Sequence, residues 1–199
     1  LYSEQLLGLL GIPLCRNWQA VETALEQENL AFIPLGDWAP QLQRMIDLRN
    51  TLGLRSPIHS LARILNPLNA RCGLQSIFHP GYQGVHRDAS GLLGNHTIVI
   101  KGDGGEVEIN PDTISHLYGT TDGQPWDEEW PALSDRRHVK PATLDPQQLV
   151  GLWRGEIEDS YPQLALIATM ALALRGLGKP RAEAFEQAEQ FWKNRNTSI

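Results

Sequence analysis

The sequence predicts an α/β fold: a largely parallel sheet between helix layers, with a few helices forming a smaller helical domain. Three observations carry this. Strand-like and helix-like segments alternate along the chain. Residues 97–100 (TIVI) are apolar and mostly β-branched on both faces, as an inner strand covered on both sides requires. Residues 163–175 (QLALIATMALALR) are apolar nearly all round, as in a central buried helix. At 199 residues, with 41% hydrophobic and 20% charged side chains, the chain has the size and composition of a globular domain.

The elements follow in order. Leucines at helical spacing after Ser3 predict a helix over 2–10. Asn17 caps a second through residue 28, with Trp18, Val21 and Leu25 on one face. Residues 30–35 (LAFIPL) read as a short buried strand. A helix over 40–52 ends at Gly53. Ser56 and Pro57 open another, which Asn66-Pro67 ends. Residues 73–78 are strand-like, 79–81 a turn and 83–93 a helix ended by Gly94. After the strand at 97–100, residues 111–118 add one more. Residues 119–141 read as a long loop holding the acidic segment WDEEW. Helices over 146–153, 162–175 and 181–193 close the chain. The boundaries drawn from this are 1–36 for the start of the α/β domain, 37–69 for the helical domain and 70–199 for the main α/β domain.

The net charge of −6 hides an asymmetry: −4 over 1–43, +5 over 44–101, −9 over 102–160 and +2 over 161–199. The basic stretch spaces its arginines singly, which suits a folded anion site or a solvated face with salt bridges. The apolar run at 164–174 is too short to span a bilayer, and no membrane association is expected. The two cysteines, Cys15 and Cys72, lie far apart and read as reduced thiols of a cytoplasmic protein. The six histidines show no ligand spacing, so zinc is not expected. The chain opens on Leu, directly in a helical pattern, which suggests a piece of a longer protein.

Ligands of open α/β sheets sit beyond the carboxyl ends of strands. That points to the turn at 79–82 and to residues 101–108 (KGDGGEVE). The second segment has glycines that admit a ligand close to the backbone. Its acids Asp103, Glu106 and Glu108 suit Mg²⁺ held together with phosphate oxygens, and Lys101 offers a point charge to a phosphate. Glycine–acid turns are also ordinary hairpin loops, and the spacing is that of neither a P-loop nor a dinucleotide fingerprint.

Residues 48–68 (LRNTLGLRSPIHSLARILNPL) resemble a motif of the anthranilate phosphoribosyltransferases through Arg49, Leu52-Gly53, Arg55, Ile58 and Asn66-Pro67. Residues 30–35, 97–106, 164–179 and 182–188 resemble further strands and helices of that family. The resemblance implies a small helical domain on a large α/β domain, dimeric through residues 40–65. It implies Mg²⁺-assisted transfer of a 5-phosphoribosyl group from phosphoribosyl pyrophosphate to a small aromatic amine. By position, Arg49 pairs with the acceptor's carboxylate. Glu106 is the first of two metal-binding acids, and the second falls on Val107 unless a one-residue shift brings in Glu108. His59 replaces the family's asparagine, and Ala62-Arg63 its Gly-Pro. The family's glycine-rich pyrophosphate loop and Lys-His-Gly-Asn-like segment would lie upstream of Leu1, so the piece is expected to be inactive alone. A second branch of the same fold has lost biosynthetic activity and binds DNA or RNA. For that alternative the candidate residues are Arg55, Arg63 and Arg71.

Overall fold

The computed structural model describes residues 3–102, 106–135, 137–139 and 145–198. It divides into two compact units. The first comprises Leu1–Ala62, Pro141–Glu158 and Asn196–Ile199; the second comprises Arg63–Lys140 and Asp159–Arg195.

The first unit is helical. It contains α1 (Ser3–Leu7), α2 (Trp18–Glu28), α3 (Leu35–Trp38), α4 (Pro40–Asp47), α5 (Arg49–Leu52), α6 (Ile58–Leu61) and α8 (Pro146–Arg154). The Asn17 side chain accepts from Ala20 N, as its capping role requires. The buried side of α2 is Val21 and Ala24, which pack with Cys15; Trp18 and Leu25 are exposed. Gly53, at φ 69°, stops α5. The expected strand over 30–35 does not form. Leu30 is exposed, only an isolated parallel bridge joins Phe32 to Leu14, and Pro34, which lacks an N–H, leads into α3. Arg16 holds α1 and α3 through Glu4 and Asp37, at 2.9 and 3.0 Å.

The second unit carries the sheet: β1 (Gly73–Ile77), β2 (Thr97–Lys101), β3 (Ser115–Thr121) and β4 (Gln124–Trp130), in that spatial order. Between β1 and β2 runs α7 (Gln83–Leu92), and α9 (Ser160–Gly176) and α10 (Arg181–Lys193) follow the sheet. The α/β class holds, with helices on both faces. Gly91 of α7 meets Thr120 on one face, and Gly176 of α9 meets Ile98 on the other. The sheet is mixed rather than largely parallel, because β1–β2 is parallel while β2–β3 and β3–β4 are antiparallel.

Part of the cause lies in residues 119–141, expected as a loop. Asp122 and Gly123 take φ of 52° and 72°, the left-handed pair that closes a two-residue hairpin, and β4 pairs back along β3 from Gln124 to Trp130. Trp126, Glu128 and Trp130 of the acidic segment face α9 and α10. There the Arg175 guanidinium covers Trp126 at 4.5 Å, and Glu128 accepts from Arg175 and from Trp130 Nε1, both at 2.8 Å. The core of the unit is Ile98, Val99, Ile100, Leu117, Trp130, Ala168, Ala171 and Leu172, all at most 2% exposed.

Candidate functional site

The register pairs Ile77 with Lys101, so β1 and β2 reach their carboxyl ends side by side. Gly102 N extends the ladder by donating to Ile77 O at 3.3 Å. Gly102 is buried. A Cβ there would lie 2.0 Å from both Ser76 Oγ and Glu106 O, so only glycine fits. Ser76 is 1% exposed, and its Oγ has no hydrogen-bond partner among the described residues. Its carbonyl accepts from Arg63 Nη1 at 2.6 Å.

Past Gly102 the chain is tied again on its far side. Glu108 N donates to Glu106 O at 3.1 Å, and buried Ile109 donates its N–H to Thr169 Oγ1 of α9 at 3.1 Å. The segment is thus pinned to the sheet at one stem and to α9 at the other. Glu106 and Glu108 are exposed between the two anchors, and Lys101 is exposed at the end of β2 just before the first. At the end of β1 next to them stand exposed Phe78, His79 and Tyr82, with ring centroids 4.9 and 6.5 Å apart along the series.

The structure therefore brings Lys101, Glu106 and Glu108 together on one strand-end segment, while Asp103 lies outside the described residues. Arg49 is exposed at the start of α5, in the first unit. Arg55 and Arg71 are exposed, and Arg63 is half-buried against the β1 backbone. No group of three His, Cys, Asp or Glu among the described residues could hold a metal by itself. His59 turns its Nδ1 back on Ser56, accepting from Ser56 N at 3.2 Å. Both cysteines are free, and burial pushes the Cys72 thiol up, away from nucleophilic use.

Sequence reasoning passed over a buried polar network beside the site. Gln75 Nε2 donates to Ser90 Oγ at 3.2 Å, which leaves Gln75 Oε1 to accept from His86 Nδ1 at 3.0 Å. All three residues are buried. Burial holds the His86 imidazole below its ordinary pKa, and the Arg63 charge adds to this. The signal was present: Gln75 and Ser76 interrupt an otherwise apolar strand.

No family model matches the chain. It is 30% identical over 151 residues to the anthranilate phosphoribosyltransferase of Novosphingobium aromaticivorans, covering 75% of this chain and 43% of that protein. Its fold matches the anthranilate phosphoribosyltransferase from Saccharomyces cerevisiae in complex with 4-fluoroanthranilate, with a TM-score of 0.72 at 18% identity, over 96% of this chain and 59% of that one. The chain is anthranilate phosphoribosyltransferase-like. It is also 27% identical over 111 residues to the uncharacterized protein YbiB of Escherichia coli, covering 55% of this chain and 35% of that protein. The matched regions span less than half the length of these curated relatives. No described helix is long and apolar enough to cross a membrane.

Proposed function

We propose that this chain supplies part of a phosphoribosyltransferase site, in which the segment after β2 binds a phosphorylated sugar donor, 5-phosphoribosyl pyrophosphate, with Mg²⁺. The observation that carries the reading is the double anchoring of that segment. Gly102 rests on Ser76, Ile109 is tied to Thr169, and Lys101, Glu106 and Glu108 are held out at the carboxyl edge of the parallel pair.

The donor set fits Mg²⁺. The ion commonly takes one or two protein carboxylates and completes its shell with water and phosphate oxygens. Glu106 and Glu108 supply two exposed carboxylates, and the described residues offer no third. The expected order is therefore metal arriving with the donor's phosphates. Bound there, the ion would neutralise charge on the pyrophosphate as it leaves the ribose. Lys101 would orient a phosphate as a point charge. Arg49 would pair with the carboxylate of an aromatic amine acceptor, and residues 40–65 would form a homodimer contact.

Calorimetric titration of the chain with 5-phosphoribosyl pyrophosphate in excess Mg²⁺ tests this. Binding should be measurable, should need the metal, and should fall at least tenfold in Glu106→Gln. Absence of binding to the wild type up to about 1 mM, a free energy near −4 kcal/mol, would sink the reading. The nucleic-acid alternative keeps exposed Arg55 and Arg71, while Arg63 is engaged with the Ser76 carbonyl. A salt-dependent shift of duplex DNA at about 50 mM salt, without donor binding, would favour it.

A further inference from the structure

The hydroxyl of Ser76 is buried beneath the candidate site without a partner among the described residues. Its oxygen and the Glu106 carbonyl oxygen each lie 2.0 Å from the point where a Gly102 Cβ would stand. The two oxygens therefore cannot be more than twice that distance apart. A water bridging two oxygens at about 2.8 Å each needs them roughly 4.5 Å apart, so no water fits between them. A direct O–H···O bond needs about 2.7–2.8 Å. A hydroxyl donor thus lies within twice that 2.0 Å of a carbonyl acceptor, and the two make no hydrogen bond in the free chain. Only the absence of a side chain at Gly102 leaves that path open.

We infer that Ser76 is the positioning residue of this site: its hydroxyl donates to the Glu106 carbonyl when the Glu106 carboxylate engages a cation–phosphate ligand. The inference rests on the donor reading above. The liganded segment gains a hydrogen bond that the free one lacks, so Ser76 contributes to affinity and not to the stability of the free chain. This is the reverse of an ordinary buried hydroxyl, which supports the fold whether or not a ligand is present.

The test is Ser76→Ala, measured beside wild type and Glu106→Gln. Each is melted alone and titrated with 5-phosphoribosyl pyrophosphate in excess Mg²⁺, and the Val107 amide resonance is followed, since its peptide group contains the Glu106 carbonyl. Ser76→Ala should melt at or above the wild-type temperature when free. It should bind roughly three- to tenfold more weakly, and the ligand-induced shift of Val107 should shrink. A free Ser76→Ala chain that melts several degrees lower, or fails to fold, would overturn the inference, because the hydroxyl would then support the free fold. Unchanged affinity in Ser76→Ala beside lost binding in Glu106→Gln would also overturn it and leave the donor reading standing. A wild-type chain that does not bind the donor overturns both.

Discussion

Gly102→Ala offers a direct test of how the candidate site is built. The new methyl would meet Ser76 Oγ and Glu106 O at 2.0 Å and Ser76 Cβ at 3.1 Å. Carbon contacts settle near 3.5–4.0 Å, so more than an ångström of overlap must be relieved. The serine hydroxyl can rotate away. The Glu106 oxygen is main chain, and its segment is pinned at Ile109 N to Thr169, so relief must come from moving the backbone between the two anchors. Overpacking of this kind costs about 1–3 kcal/mol. At about 2–4 °C per kcal/mol for a chain of this size, the melting temperature should fall by roughly 2–12 °C. Binding of donor and metal should be lost with it, because the Glu106 carboxylate moves with its carbonyl. Differential scanning calorimetry reads the first quantity and calorimetric titration the second. A variant that melts within a degree of wild type would refute the geometry of the seat.

Two further outcomes are expected. His86 is held neutral by burial, so the unfolded chain takes up its proton first as pH falls. Stability should be full above about pH 6.5 and fall below it with a slope of at most about 1.4 kcal/mol per pH unit; His86→Gln should flatten that slope in melts from pH 7 to 5, and an unchanged slope would exclude His86 as its source. Gly119→Ala would push a methyl to 2.1 Å from the Trp126 indole, which Arg175 covers at 4.5 Å, so it should cost about 1–3 kcal/mol by denaturant unfolding. A loss under about 0.5 kcal/mol would mean that the indole can leave its place freely.

The inner strand was legible because residues 97–100 must be apolar on both faces to lie between α7 and α9. The capped helices were legible because Asn17 and Gly53 act locally, through one hydrogen bond and one left-handed backbone. The hairpin was not, although its Asp122-Gly123 turn is a strong local signal. The acids of the segment after it suggested solvent, yet Glu128 points inward and is neutralised by Arg175, a residue 47 positions away. Residues 30–35 erred in the opposite direction: an apolar run is strand-like only where a neighbouring strand accepts its backbone, and Phe32 finds a single bridge. At the candidate site, Lys101, Glu106 and Glu108 could be named from glycines and charges. Ser76 could not, because its relevance comes from the register that lays β1 under Gly102.

Arg63 carries a further consequence. Among the described residues β1 and β4 are the outer strands of the sheet, and outer strands offer unpaired main-chain groups to a second copy of the chain. On β4 this invitation is withdrawn by Pro125, which lacks an N–H, and by the exposed charges of Asp127 and Glu129. On β1 a guanidinium at 2.6 Å occupies the Ser76 carbonyl. An arginine that the sequence offered to a phosphate backbone is thus engaged by the main chain of β1, directly beneath the candidate site.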